Sequence, residues 1–189
     1  MVEVVKPIVL APKNPPKTAV NGAFIIRKET SGEAAAIDAV TRAAFFSAPR
    51  ASHTEHHIVR ALRRSNRLAV SLVATIDGDI VGHIAMSPVT IADGSTGWYG
   101  LGPLSVEPLY QGRGVGSRLV ESALAALREL GGKGCVVLGD PAYYERFGFR
   151  AITSLTFADV PSEYFLALPL DGEAPSGTVT YHDSFFARY

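Results

Sequence analysis

Between Leu68 and Ile76 every second residue is apolar (Leu68, Val70, Leu72, Ala74, Ile76), a period of two that predicts a strand with one buried face. Asp77-Gly78 follows as a hairpin signal, because glycine supplies the positive φ such turns need. A second strand is expected over Ile80–Val89, a turn at Asp93-Gly94, and a third strand over Trp98–Val106, giving an antiparallel meander. Ahead of the meander, Phe24–Arg27 reads as a short strand. Ser31 then offers the N-cap of a helix with Ile37, Val40, Ala44 and Phe45 on one stripe. A second helix is expected over Thr54–Arg64 with Ile58, Val59 and Leu62 inward.

After Val106 the period changes. Val115, Leu119, Ala123, Leu127 and Leu130 recur at helical spacing across Gly114–Leu130, opposite Arg118, Glu121, Arg128 and Glu129, and Gly131-Gly132 ends the helix. Cys135–Leu138 reads as a short buried strand. Asp140-Pro141 opens another helix by cap and N1 proline, and Gly148 closes it. Strand candidates remain at Tyr164–Leu168 and Thr178–Tyr181. Strands grouped first and strand–helix–strand units later predict an α/β chain with a mixed, mostly antiparallel sheet and one parallel pairing. Residues 1–22, with Pro7, Pro12, Pro15 and Pro16 among three lysines, read as an extended or mobile arm, or as an edge strand over Val2–Leu10. The folded domain is expected over 23–189.

Composition narrows the function classes. The 189 residues are 47% apolar, enough for one full core. Lys and Arg together number 18, as do Asp and Glu, so the electrostatic footprint of a nucleic-acid or anionic-membrane binder is missing. One cysteine, Cys135, excludes an internal disulfide framework and a multi-cysteine zinc site. No apolar run is long enough for a membrane helix, and Met1–Leu10 lacks the run of a secretory signal. The expectation is a soluble, cytoplasmic protein without nucleic-acid or membrane partners.

The chemistry concentrates in Gln111-Gly112-Arg113-Gly114-Val115-Gly116-Ser117, between a strand and a long amphipathic helix. Closely spaced glycines let backbone amides converge, and the helix adds its positive dipole end, which makes an anion site shaped for phosphate. A P-loop would need Gly-Lys-Ser/Thr, but Ser117-Arg118 follows Gly116. A dinucleotide fingerprint would need glycine where Ser117 stands, and would sit in the first βα unit of a parallel sheet.

These residues resemble the GNAT superfamily of acetyl-CoA-dependent N-acetyltransferases, whose signature Gln/Arg-x-x-Gly-x-Gly/Ala is met at each specified position by Gln111–Gly116. Leu104-Ser105-Val106-Glu107-Pro108 is similar to the family's fourth strand, and Tyr144-Glu145-Arg146-Phe147-Gly148-Phe149 to its Tyr-x-x-x-Gly-Phe segment. The resemblance spans about residues 24–150. Leu138–Pro141 and Val179-Thr180-Tyr181-His182 extend it toward a bacterial subfamily whose substrates are mostly undefined.

The resemblance implies a fold whose fourth and fifth strands splay apart, with acetyl-CoA as cosubstrate. Gln111, Gly112, Arg113, Gly114, Val115, Gly116 and Ser117 would surround its pyrophosphate. The main chain of Leu104, Ser105 and Val106 would pair with the pantetheine arm, and an amide near Val106 would stabilise the oxyanion. Tyr144 matches the family's general acid, whereas Tyr143 reads as packing. An amine acceptor, a small molecule or peptide, would attack directly in a ternary complex, with Glu55 the first candidate base. The alternatives are a non-catalytic acyl-CoA-binding regulatory module and a nucleotide-dependent oxidoreductase. His83 reads as an interior group, and Ser87-Pro88 as part of the acceptor pocket wall. His53 and His57 would share a helical face, but the sequence offers no third ligand, so no metal is expected. Cys135 reads as an inert small hydrophobe, and the aromatic tail Tyr181–Tyr189 as packing or a homodimer contact.

Overall fold

The computed structural model of the chain describes residues 23–46 and 52–187. Among them eight strands form, Ile25–Lys28 (β1), Val70–Ile76 (β2), Asp79–Ile91 (β3), Trp98–Val106 (β4), Gly134–Leu138 (β5), Leu155–Thr156 (β6), Phe165–Pro169 (β7) and Gly177–Tyr181 (β8). Four α-helices accompany them, Ala34–Phe46 (α1), Glu55–Arg64 (α2), Val115–Glu129 (α3) and Pro141–Tyr144 (α4). The expected arm over 1–22 lies outside the described residues.

The sheet runs β1-β2-β3-β4-β5-β7, antiparallel throughout except for β4–β5. The β2–β3 hairpin turns on Asp77 and Gly78, both at positive φ (50° and 93°), the geometry a two-residue loop needs to match the strand twist. The far end of β3 carries β8, which also holds the two-residue β6 in parallel, a second parallel pair that no run of apolar residues announces. Ser31 is not the cap of α1. It falls in a turn, and Glu33 stands before the helix instead, its carbonyl accepting from Ile37 N–H at 2.9 Å. The Glu33 carboxylate accepts from Thr30 N–H (2.7 Å) and both Arg27 guanidinium nitrogens, which a serine hydroxyl could not do.

Each face of the sheet has its own cover. Leu72, Ile84 and Leu104 face α3, whose Val115, Leu119, Val120, Leu124 and Leu127 are buried in the same core. Burying each of those five side chains stabilises the fold by about 2 kcal/mol. Val73, His83 and Ser105, register partners one residue along, face α1 and α2. Val73 packs with Ile37 and Val59, and Ser105 Oγ donates to Thr41 Oγ1 at 3.3 Å. Asp38 ties the two helices together by pairing with Arg42 and Arg60.

One irregularity positions everything that follows. Ile84 opposes Leu104 while Met86 opposes Leu101, so β4 carries one extra residue, a bulge at Gly102-Pro103. Pairing between β4 and β5 covers Trp98–Leu101 only, ending at Leu101 opposite Val137. Beyond it the two parallel strands part. No helix among the described residues is long and apolar enough to cross a membrane.

Candidate active site

The bulge leaves Leu104–Val106 paired with β3 on one edge and with no strand on the other. Glu107 N–H donates to Val81 O (2.9 Å) on the β3 side. Strand alternation therefore turns the main-chain groups of Ser105 toward β3 and those of Leu104 and Val106 toward the bare edge. Gln111 reaches back to that edge, its side-chain amide donating to Val106 O at 2.9 Å. This bond folds the glycine loop against β4, so the Gln111 amide is spent on positioning the loop.

The loop itself is a cradle. Gly112 (φ 70°) and Gly114 (φ 85°) occupy the left-handed region, and a Cβ built on Gly114 would meet open space. Gly114 is the N-cap of the fifteen-residue α3 and no side chain caps it, so the first-turn amides of Val115, Gly116 and Ser117 point outward with the dipole behind them. Arg113 stacks over the Tyr110 ring, 5.8 Å from its centroid. The sequence passed over one member of this group. Tyr143, expected to be simple packing, hydrogen-bonds the Ser117 side chain, and its hydroxyl lies 2.8 Å from where a Cβ on Gly116 would be. Gly116 thus lets α4 close onto the start of α3. Burial raises the Tyr143 pKa, with the Ser117 hydrogen bond offsetting part of it. Nothing in a Tyr-Tyr pair says which ring faces the loop.

Tyr144 lies on the other side of that pair, 2% exposed, with its ring against Gly139, where a Cβ would fall 2.3 Å from the ring edge. Together with Leu101, Gly102, Leu104, Val137, Leu138, Tyr181 and Phe185 it lines a small hollow where β4 and β5 diverge. Burial pushes its phenol far above the usual tyrosine range, so the hydroxyl is neutral and a donor at any physiological pH. Leu104 of the bare edge and Tyr144 therefore share one hollow, and Tyr143, next to Tyr144, touches the start of α3.

Glu55 sits elsewhere. It opens α2, is 1% exposed, and accepts from Ser52 N–H (2.8 Å) and Ser52 Oγ (2.9 Å) through Oε1, while Oε2 has no partner. Its hollow is lined by Arg42, Phe45, Phe46, His53 and His56 and shares no residue with the first. His53 and His57 do not share a helical face. His53 precedes the helix at φ 61°, and the rings in contact are His56 and His57, tilted at 40° with centroids 3.9 Å apart. Among the described residues no group of three metal-ligating side chains forms.

His83 is fully buried, as an interior group should be, yet it is wired. Ser71 Oγ donates its one proton to Glu29 Oε2 (2.7 Å), so at the 2.9 Å contact with His83 it accepts, and Nε2 carries the imidazole proton. Arg63 closes the chain on Glu29 at 2.7 Å. Burial pushes the His83 pKa down to about 4, so the ring is neutral and its Nδ1 lone pair is bare and unpartnered. Ser87 Oγ is likewise buried without a partner. Cys135 is fully buried, and burial drives its thiol far up, out of reach of nucleophilic chemistry.

Comparison with known proteins identifies the family. The acetyltransferase (GNAT) family model matches residues 36–149. The uncharacterized N-acetyltransferase YhbS of Escherichia coli K12 is 40% identical over 128 residues, covering 67% of this chain and 74% of that protein. A GNAT family acetyltransferase from Brucella melitensis, solved with acetyl-CoA, is 45% identical, covers 87% of this chain and 99% of its own, and superposes with a TM-score of 0.78. YhbS from Escherichia coli, solved with CoA, superposes at 0.81 with 34% identity over 90% of this chain and 96% of its own. With the family model matching more than half of the 189 residues, and relatives this similar, the chain belongs to the GNAT acetyltransferase family.

Proposed function

We propose that this protein moves the acetyl group of acetyl-CoA to a primary amine of a small molecule or peptide, by direct attack in a ternary complex. The observation that carries the reading is the unpaired strand edge at Leu104–Val106, followed directly by the phosphate-shaped cradle and sharing a hollow with the buried neutral phenol of Tyr144. The cradle fits the coenzyme's pyrophosphate in kind. Outward amides and a helix dipole favour a dianion, and the space beside Gly114 is open. The outward main chain of Leu104 and Val106 fits the amides of the pantetheine arm as an added strand.

Within that frame each residue has a task. Gln111 and Tyr143 brace the loop. The Val106 N–H, directed at the bare edge, donates to the carbonyl oxygen as it gains charge. Tyr144 holds its proton until the sulfur leaves and then donates to it, which a phenol kept neutral by burial is suited to do. Cys135 supports direct attack, since a thiol so buried and so weakly acidic offers no covalent relay. An amine with a pKa of about 10 must shed a proton first. The free Oε2 of Glu55 is the base we assign, and because its α1–α2 hollow shares no residue with the one at Tyr144, it takes the proton through intervening water rather than by direct contact.

Calorimetric titration with acetyl-CoA, with NAD as control, tests the donor. Thiol release across a panel of amines tests the transfer. Acetyl-CoA binding with thiol release that depends on the amine is expected. Binding without release by any amine would favour a regulatory module, and silence to acetyl-CoA would end the transferase reading.

A further inference from the structure

We propose that the Tyr181 hydroxyl is a second side-chain donor of the transfer site, directed at the carbonyl oxygen of the acyl group, an inference that rests on the acetyl-CoA reading above. Tyr181 reaches the gap from β8, far along the chain from the signature loop. Its ring packs against Gly100, where a Cβ would fall 2.2 Å from the nearest ring atom. Phe185 lies at a centroid distance of 4.5 Å, and Phe157 at 5.5 Å, nearly perpendicular. Held on three sides, the ring has one place to put its oxygen. That oxygen is buried, without a hydrogen-bond partner, in a residue 2% exposed that lines the hollow with Tyr144.

A buried hydroxyl without a partner is costly, and a fold keeps it where something else supplies the acceptor. The position of the hollow says which acceptor. The open edge at Leu104–Val106 admits the pantetheine arm, and the wedge closes where Leu101 and Val137 still pair. Tyr181 and Phe185 line the hollow together with Leu101 and Gly102, next to that closed end, so the terminal group of the arm meets them. Leu101, Leu104, Val137, Leu138 and Phe185 offer a methyl group apolar walls. The acetyl unit has a single polar atom beside the sulfur, its carbonyl oxygen, and Tyr181 offers that atom a single unused proton. Burial holds this phenol well above its ordinary pKa, so the proton is present at every working pH.

The test is a cycle between Tyr181→Phe and the removal of the carbonyl. Wild-type protein and the variant are titrated calorimetrically with acetyl-CoA and with ethyl-CoA, the thioether of equal length that has CH2 in place of the carbonyl. Phenylalanine keeps the ring on Gly100 and removes only the oxygen. The variant should bind acetyl-CoA about fivefold more weakly, the worth of one neutral hydrogen bond, and ethyl-CoA as the wild type does. Its melting temperature without ligand should hold or rise, because an unpaired polar atom has left the core. Equal weakening for both ligands, or for neither, would overturn the proposal, as would a fall in melting temperature without discrimination between them. Wild-type silence to acetyl-CoA would overturn the donor reading itself and this inference with it, whereas a flat cycle on a binding protein overturns this inference alone.

Discussion

The two sides of this sheet are built on different principles. The side that holds the glycine cradle is apolar under α3, and the polar groups it offers are main-chain amides and phenols kept neutral by burial. The side under α1 and α2 buries polar side chains instead: Thr41, Glu55, His56, His83 and Ser105. Amides and buried phenols do not titrate near neutrality, so the donor side is fixed in charge. The other side mixes hydroxyls with titratable groups, of which Glu55, His56 and His83 each keep a buried polar atom without a partner. A ligand common to a whole family is best met by backbone, which any sequence with the right glycines can supply. An acceptor particular to one enzyme has to be met by side chains.

The largest effect expected from breaking this contrast is Gly114→Val. The branched side chain would enter the open space of the cradle on a residue at φ 85°, where a Cβ is strained by more than about 1 kcal/mol. Acetyl-CoA affinity should fall by about a thousandfold while circular dichroism stays that of the wild type, because nothing packs within 4 Å of a Cβ at Gly114. Calorimetry decides, and unchanged affinity would remove the loop from the site.

Acid should find the other side. His83 has a folded pKa pushed down to about 4 against an ordinary 6.5, so between these values the unfolded chain binds the additional proton. Its contribution to stability is complete above pH 6.5 and is lost as pH falls toward 4, about 3 kcal/mol in all. His56, lowered chiefly by burial, acts with the same sign. The carboxylates with lowered pKa values, Glu29, Glu33 and Asp38, lose their share only below their ordinary values of 4.5, 4.5 and 3.8. Denaturant melts from pH 7 to 4.5 should show the loss in the wild type and a shallower slope in His83→Asn.

What could be read from the sequence divides along the same line. The backbone part of the proposed donor side lies in one contiguous stretch, Leu104 to Ser117, because backbone recognition needs neighbouring residues, and Tyr144 follows only after α3 and β5. Both the period-two strands and the glycine loop were visible there. The bulge at Gly102-Pro103 was not, since a bulge is a property of register between two strands. Tyr143 and Tyr181 escaped for a related reason. Each owes its position to a glycine elsewhere, Gly116 and Gly100, and that pairing exists only once the chain has folded. The Ser71–Glu29–Arg63 connection of His83 joins three separate elements, which no periodicity records.

Tyr144→Phe asks whether the buried phenol belongs to the chemistry or to the core. The ring would keep its place on Gly139, so affinity for acetyl-CoA should stay within about twofold. The turnover number should fall about a hundredfold, the usual worth of a positioned acid. Equal turnover would make the ring a packing element and leave the sulfur to solvent.

Glu55→Gln is the smallest and the most discriminating. The substitution preserves the shape and, through its carbonyl oxygen, the contacts from Ser52, while replacing the unpartnered Oε2 with an amide nitrogen that cannot take up a proton. If Glu55 takes the amine's proton, kcat should fall about tenfold, with water as the substitute base, and acetyl-CoA affinity should not change. The loss should shrink as pH approaches the pKa of the acceptor amine, because an amine already deprotonated has no need of a base. A structural carboxylate would instead lower the melting temperature and depress turnover equally at every pH. A pH series of kcat on the two proteins therefore separates the two roles, and it does so without the need for a tight-binding acceptor, since any amine in the panel that supports measurable thiol release carries the same proton to be removed.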